Sequence, residues 1–345
     1  MRLATVRSSG NSDPGGGQVA VVLDGGRIVT LEALAGLAPA DLPPEIAAMD
    51  LAAILGIDPD LQRVRRALAA AGPGALAEAA RDPGTVRLAA PLPRPAKAIG
   101  VGYNYLDHIR EQGLERPARP VLFSMFANAV VADGDPIRRP AGTHALDLEA
   151  ELAVVIGRRA SRVAVADALQ YVAGYMAAND VTARDWQGQA RALRPGEKGD
   201  GQWLRAKGSD TFLPLGPVLV TADELGDGRG LAVRSWVTAA SGPRAGAPFQ
   251  MQDGNTSDLL FGAAELIATI SGEVTLEPGD VVVTGTPSGV GVFREPPVFL
   301  EPGDLVRVEV ERIGSLTNPV VDEEGRVPEG SPAHRFMSGG NPPTR

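Results

Sequence analysis

From Lys97 onward the chain is a succession of short apolar runs, and few stretches between them have helical spacing. KAIGVG (97–102), PVLFSMF (120–126), LDLEAELAVVIG (146–157), YVAGYMAAND (171–180), GPVLV (216–220), LAVRSWVTA (231–239), VVVTGT (281–286) and LVRVEVE (305–311) read as strands. Helical interludes are confined to about 105–113, 163–169, 182–190 and 256–269. A parallel doubly wound sheet needs a helix between successive strands, so this order argues against it. It predicts an α+β, β-rich fold: a large antiparallel or mixed sheet with helices at its edges. The 42 glycines and 29 prolines suit a chain with many turns. Leu-Glu-Pro-Gly-Asp occurs twice, at 276–280 and 300–304, each time just before a strand, with Pro-Gly suited to the middle of a type II turn.

The first part of the chain is built differently. QVAVVLDGGRIVTL (18–31) reads as two short strands around Asp24-Gly25-Gly26, because Asp-Gly and Gly-Gly tolerate positive φ. From Pro43 to about Ala80 the sequence is rich in Ala and Leu, and Gly and Pro divide it into two or three short helices. LAAPLPRPAK (88–97), with three prolines, disfavours both helix and central strand. The 345 residues are therefore expected to form a small N-terminal domain (1–92), a main domain (93–321) and a fraying polar tail (322–345).

The balance of 33 Lys+Arg against 42 Asp+Glu, net −9, has the wrong sign for attracting a phosphate backbone or an anionic membrane surface. Neither nucleic acid nor membrane is expected as a partner. The lack of cysteine removes disulfides, thiolate metal sites and thiol nucleophiles together. MRLATVRSSGNSDPGGG lacks the apolar region of a signal peptide, and no stretch approaches the roughly 18–20 apolar residues that span a bilayer. A cytoplasmic protein is the expectation.

Four groups of residues can do chemistry. In Asp147-Leu-Glu149-Ala-Glu151 the strand alternation points both glutamates to one face, with Cα atoms about 6.6–6.8 Å apart. LAVVIG follows, apolar on both faces, so the acids stand where a strand enters a core and where like charges are costly without a cation. Asp180, ending another apolar strand, completes an all-oxygen set suited to Mg²⁺, Mn²⁺ or Ca²⁺; a solvated strand face is the other reading. His108 and Glu111 are i, i+3 neighbours on a helix, which makes either a proton-transfer pair or an ordinary surface pair. His144 and His334 are expected to be bystanders. Arg184 and Gln187, one to two turns past Asp180, can hold a substrate carboxylate, and Lys207 can stabilise an enolate; alternatively they are surface charges. Residues 188–201 are polar enough for a lid. Thr284-Gly-Thr286-Pro-Ser-Gly289-Val-Gly291 is neither a Walker A loop nor a Rossmann turn; it can offer backbone N–H groups and the Thr286 hydroxyl to an anion, or be a plain tight turn.

In order, these segments closely resemble the fumarylacetoacetate hydrolase family: N-Y-x-x-H, D-x-E-x-E-L-x-x-V-I-G, G-Y-x-x-x-N-D-x-x-A-R-D-x-Q, K-G-x-D-T-F-x-P-x-G-P and T-G-T-P-x-G-V-G, from about Lys97 to Val320. The resemblance implies a mixed β-roll or sandwich, often a homodimer. It implies Glu149, Glu151 and Asp180 as ligands of Mg²⁺ or Mn²⁺, with Ca²⁺ a further occupant. His108 and Glu111 become the water-activating pair, with Lys207 a catalytic cation. Tyr105, Arg184, Gln187 and Thr286 fall to the substrate. The implied reaction is C–C hydrolysis of an acylpyruvate (2,4-dioxo acid) to pyruvate and a carboxylic acid. The same site also supports decarboxylation, tautomerisation or isomerisation, and hydration of 2-oxo acids. A non-catalytic metal- or ligand-binding pathway protein is the reading from another class. Met125 stands where many relatives carry Lys, which implies a less anionic or more apolar substrate.

Overall fold

The computed structural model describes residues 1–7 and 16–339. Among the described residues, eleven strands form one mixed sheet, five form a second, and two short ones pair by themselves. The long path of the large sheet runs Ile28–Thr30, Gln18–Val22, Arg2–Val6, Leu213–Thr221, Val172–Asn179, Ala150–Ile156, Val281–Val283, Ala98–Gly102, Val121–Met125. Neighbours on this path are antiparallel except Val281–Val283 with Ala98–Gly102. The second sheet runs Phe249–Asn255, Ala232–Thr238, Leu305–Val310, Gly314–Val321, Ile137–Arg138.

The run LAVVIG is apolar on both faces because its strand is covered on both. Leu152, Val154 and Ile156 pack into a core shared with Val233, Val308 and Leu316 of the second sheet. Ala153 and Val155 point the opposite way, into a core shared with Leu34, Ile54, Leu55 and Val64 of the N-terminal helices. A one-residue slip would exchange the two sets, so the register is strongly specified. Those helices are Leu31–Leu37, Pro44–Ala47, Leu51–Ile57 and Gln62–Ala79. The Thr30 hydroxyl and Asp50 carboxylate cap two of them, accepting from Ala33 N and Ala53 N. One sheet runs across residue 92, for Arg2–Val6 pairs with Leu213–Thr221.

The Asp24–Gly26 hairpin forms as its turn residues predict. In both Leu-Glu-Pro-Gly-Asp turns the glycine has positive φ and the aspartate accepts from the glutamate N–H, at 2.7 Å for Asp280 and 2.9 Å for Asp304. Other expectations need correction. The acidic strand starts at Ala150, so Glu149 lies one residue before it. Phe249–Asn255 and Gly314–Val321 are strands the apolar pattern missed. FQMQDGN is polar because it lies at a sheet edge. In the expected fraying tail, Pro332–Met337 is a helix with Ala333 fully buried, and 340–345 lie outside the described residues. No helix among the described residues is long and apolar enough to cross a membrane.

Candidate active site

Where the Ala150–Ile156 strand begins and Val172–Asn179 ends, a cavity of about 130 Å³ opens. Its lining includes Tyr103, His108, Phe123, Glu149, Glu151, Asp180, Arg184, Gln187, Trp203, Lys207 and Thr286. Ladder pairing of Ala150 with Asn179 brings the acids together across 30 residues of sequence. The Asn179 side chain accepts from Glu149 N at 3.0 Å, and Asp180 N donates to Glu149 O at 2.9 Å. The three acids are buried and each offers a carboxylate oxygen within 4.8 Å of the others.

Two buried cations meet these carboxylates. Lys207 Nζ donates to Glu149 Oε2 and to Asp180 Oδ2, each at 2.7 Å. Arg184 donates to Asp147 Oδ2 at 2.9 Å and pairs with Glu149 Oε1 at 2.6 Å. Arg184 and Lys207 therefore brace the acids; both are almost wholly buried. Asp147, Glu149, Glu151 and Asp180 outnumber the two cations by two charges when all are ionised. The carboxyls divide accordingly. Burial opposes ionisation of Glu149, but Lys207 and Arg184 hold it down at about 2. Burial, reinforced by Glu149 and only partly offset by Lys207, pushes Asp180 up to about 7. Burial and then the Asp180 and Glu149 charges hold Glu151 well above the usual carboxylate range. Asp180 Oδ1 is buried with no hydrogen-bond partner among the described residues. An orphaned carboxylate oxygen, an all-oxygen donor set and an excess of two negative charges fit a hard divalent cation.

His108 and Glu111 lie on the short Leu106–Glu111 helix. His108 Nδ1 meets Glu111 Oε2 at 2.8 Å, which leaves Nε2 as the ring nitrogen without a hydrogen-bond partner among the described residues. The glycine-rich turn positions this pair. Its backbone N–H groups, free on the sequence to meet an anion or to serve a plain tight turn, are taken by the protein's own carboxylates. Gly289 N donates to Glu111 Oε1, Ser288 N and Oγ to Asp107 Oδ2, and Gly291 N and Val292 N to Asp147. One turn earlier, Gly285 N donates to Glu151 Oε2 at 2.6 Å. The Thr286 hydroxyl is likewise committed, donating to Ala150 O and accepting from Gln252 Nε2, so it has no proton left for substrate.

Tyr105 is not a lining residue. The chain leaves the Ala98–Gly102 strand through Tyr103 at φ +55, and Tyr105 bridges to Leu259 with its ring fully buried. Tyr103 lines the cavity instead, edge-on to Trp203, which in turn meets Phe123 edge-on. Met125 also lies outside the lining, buried in the core shared with the N-terminal helices, so it has no contact with a ligand in this cavity. Gln187 lines the cavity and accepts from Arg184 at 3.2 Å. In the expected lid, Gly188 and Gln189 are lining residues. His144 is less idle than expected: its ring joins Asp185 to the Ala192 carbonyl, tying the Arg184–Gln187 helix to that segment. His334 lies in the Pro332–Met337 helix, outside the lining. Sequence reasoning missed Tyr103, Phe123, Trp203 and Gln252; for Gln252 the one available signal is a glutamine two residues after another in a segment that ends in Gly-Asn-Thr.

Residues 97–321 match the profile described as Fumarylacetoacetate (FAA) hydrolase C-terminal. The mitochondrial oxaloacetate tautomerase of Xenopus laevis is 45% identical over 236 residues, covering 68% of this chain and 69% of that protein. Among solved structures, the fumarylacetoacetate hydrolase of psychrophilic Exiguobacterium antarcticum is 30% identical with a TM-score of 0.72, covering 93% of this chain and 99% of that one. The maleylpyruvate hydrolase of Sphingobium sp. SYK-6, solved with manganese(II) and pyruvate, is 28% identical with a TM-score of 0.67 and the same coverage.

Proposed function

The chain belongs to the fumarylacetoacetate hydrolase family, and on that footing we propose that it is a divalent-metal-dependent enzyme interconverting the keto and enol forms of a small 2-oxo diacid of the oxaloacetate type. The observation that carries this reading is that the carboxylate triad and His108, held from behind by Glu111, line one small cavity. A 130 Å³ space offers on the order of ten water-sized positions. That suits a compact diacid, and the relative of Xenopus laevis carries that activity in its name.

Glu149, Glu151 and Asp180 would hold the cation. A divalent ion there supplies Lewis acidity that makes the hydrogens beside a bound ketone more acidic. His108 Nε2 takes the C3 proton and returns it to the 2-oxygen, or the reverse, so that no atom is gained or lost. Glu111 holds the imidazole in one tautomer and offsets its positive charge while the proton is carried. Lys207, between Glu149 and Asp180, and Arg184, between Asp147 and Glu149, hold the carboxylates together and oriented.

The hydrolytic reading expected from the sequence remains the second one. It is favoured by the aromatic corner of Tyr103, Phe123 and Trp203, with ring centroids 5.3 and 6.1 Å apart along the chain of contacts, which can seat an acyl tail. The deciding experiment follows enol absorbance of oxaloacetate and pyruvate release from acylpyruvates, with Mg²⁺, Mn²⁺ or EDTA, in the parent and in Glu151→Ala and His108→Ala. Metal-dependent tautomerisation abolished in both variants supports the proposal. Pyruvate release with tautomerisation no faster than in buffer makes the protein a hydrolase. Neither activity would leave a binding protein.

A further inference from the structure

Gln252 lies on the Phe249–Asn255 strand of the second sheet, 1% exposed, and uses its whole amide on the active-site side of the molecule. Oε1 accepts from Ala150 N and from Ser235 Oγ, each at 2.9 Å. Nε2 donates to Thr286 Oγ1 at 2.6 Å and to Pro287 O at 2.9 Å. The amide cannot be turned around, because one end faces a backbone donor and the other a backbone acceptor. Polarity then propagates. Thr286 Oγ1 must accept from Gln252, so its own proton goes to Ala150 O, at 2.9 Å. The peptide units on either side of Ala150, the residue between Glu149 and Glu151, are thus gripped at N–H by Gln252 and at C=O by Thr286.

We propose that Gln252 is a positioning residue for this site, setting the geometry of the two glutamates through the Ala150 backbone and restricting Thr286 to hydrogen-bond acceptance. One arm, Oε1 to Ala150 N, governs cation binding. The other, Nε2 to Thr286, governs the substrate side: Thr286 Oγ1 has an accepting lone pair left and no donor, and so it favours a ligand O–H, as in an enol, over a ketone or carboxylate oxygen. The second arm rests on the tautomerase reading; the first does not.

The two arms separate in a pair of variants of the full chain. Gln252→Met removes both, whereas Gln252→Glu keeps an acceptor for Ala150 N–H and Ser235 and loses the amide donor. Mn²⁺ binding by calorimetry and the KM and kcat of oxaloacetate tautomerisation are the readouts. Gln252→Met should weaken Mn²⁺ binding about tenfold or more, the usual effect of losing a group that orients a ligand. Gln252→Glu should bind Mn²⁺ within about threefold of the parent, while Thr286, no longer obliged to accept, can turn its proton to a ketone oxygen, so that the preference for enol over ketone, read as the ratio of their KM values, falls about tenfold, the scale of one hydrogen bond. If Gln252→Met does not fold, the smaller Gln252→Ser, which also takes Oε1 from Ala150 N, reads the cation arm, and the near-isosteric Thr286→Val, which removes the accepting oxygen, reads the substrate arm. Unchanged Mn²⁺ affinity and KM in variants that merely melt earlier would reduce Gln252 to a structural residue and overturn the proposal. A parent that binds Mn²⁺ but has no tautomerase activity would sink the functional reading and leave the cation arm to be judged by calorimetry alone.

Discussion

At the scale of single residues, the site is organised by which charges have partners. Glu111 has both oxygens engaged, one by Gly289 N and the other by His108 Nδ1. Glu111→Gln preserves this shape and removes the charge. Its kcat is expected to fall on the order of a hundredfold, as for an impaired proton-transfer pair, with Mn²⁺ affinity unchanged by calorimetry. A parallel loss of Mn²⁺ affinity would mean that Glu111 belongs to the cation site instead. Asp180 gives a pH dependence with a definite sign. Its carboxyl, ordinarily at 3.8, is raised to about 7 by burial against the pull of Lys207, so the folded metal-free protein retains a proton that the unfolded chain gives up. This group therefore favours folding at low pH, and its contribution is lost as pH rises from about 4 through 7. A bound cation must displace that proton. Because Glu151 is also held protonated, Mn²⁺ affinity should weaken at least about tenfold for each pH unit below 7, with proton release visible as a buffer-dependent enthalpy. A flat affinity between pH 5.5 and 8, roughly, would show Asp180 already ionised without metal.

At the scale of elements, the glycine-rich turn fastens two separate pieces through three carboxylates. Asp107 and Glu111 of the short helix and Asp147 beside the acidic strand all end on its backbone N–H groups. Such carboxylate-filled turns orient the acids themselves, which is why the turn serves the site without meeting substrate through these donors. Gly289 has φ +102, and a Cβ there would lie 2.3 Å from Met251 O. Gly289→Ala should therefore cost about 1–3 kcal/mol from backbone strain alone. Its distinguishing mark is a kcat loss resembling Glu111→Gln, measured beside a urea titration. Full kcat in a destabilised protein would show that the helix docks without this turn. The local rules were sound here: the sequence shows a tight turn and its glycines. That its donors face Glu111 and Asp147 depends on residues 178 and 144 positions away.

At the scale of the whole molecule, the N-terminal strands are part of the sheet that carries the site. Leu3, fully buried, joins the core containing Ala153 and Val155 of the acidic strand, and Arg2–Val6 pairs directly with Leu213–Thr221. Leu3→Ala is expected to destabilise by about 2–5 kcal/mol. Calorimetry should show one transition in which the N-terminal helices and the cation site are lost together, shifted up by Mn²⁺ in the parent and the variant alike. An early transition that leaves Mn²⁺ binding intact would show residues 1–92 to be an independent unit.

The sequence by itself determined what is local. Alternation of side chains, turn chemistry at Asp24–Gly26 and at both Leu-Glu-Pro-Gly-Asp segments, and the i, i+3 spacing of His108 and Glu111 are set by neighbours a few residues apart. The acids of the proposed cation site were legible because three carboxylates beside apolar runs are costly in any fold that buries them. Only the tertiary structure decided which groups remain free to act. Tyr103 faces the cavity in place of Tyr105 because the chain turns at a left-handed residue. Arg184 and Lys207 are used up on carboxylates, and Thr286 is bound at both ends by Ala150 and Gln252. Gly285 reaches Glu151 across 134 residues, and Gln252 reaches Ala150 across 102. Partners at such separations are selected by strand register and by the packing of one sheet on another, and no periodicity within a single segment encodes them.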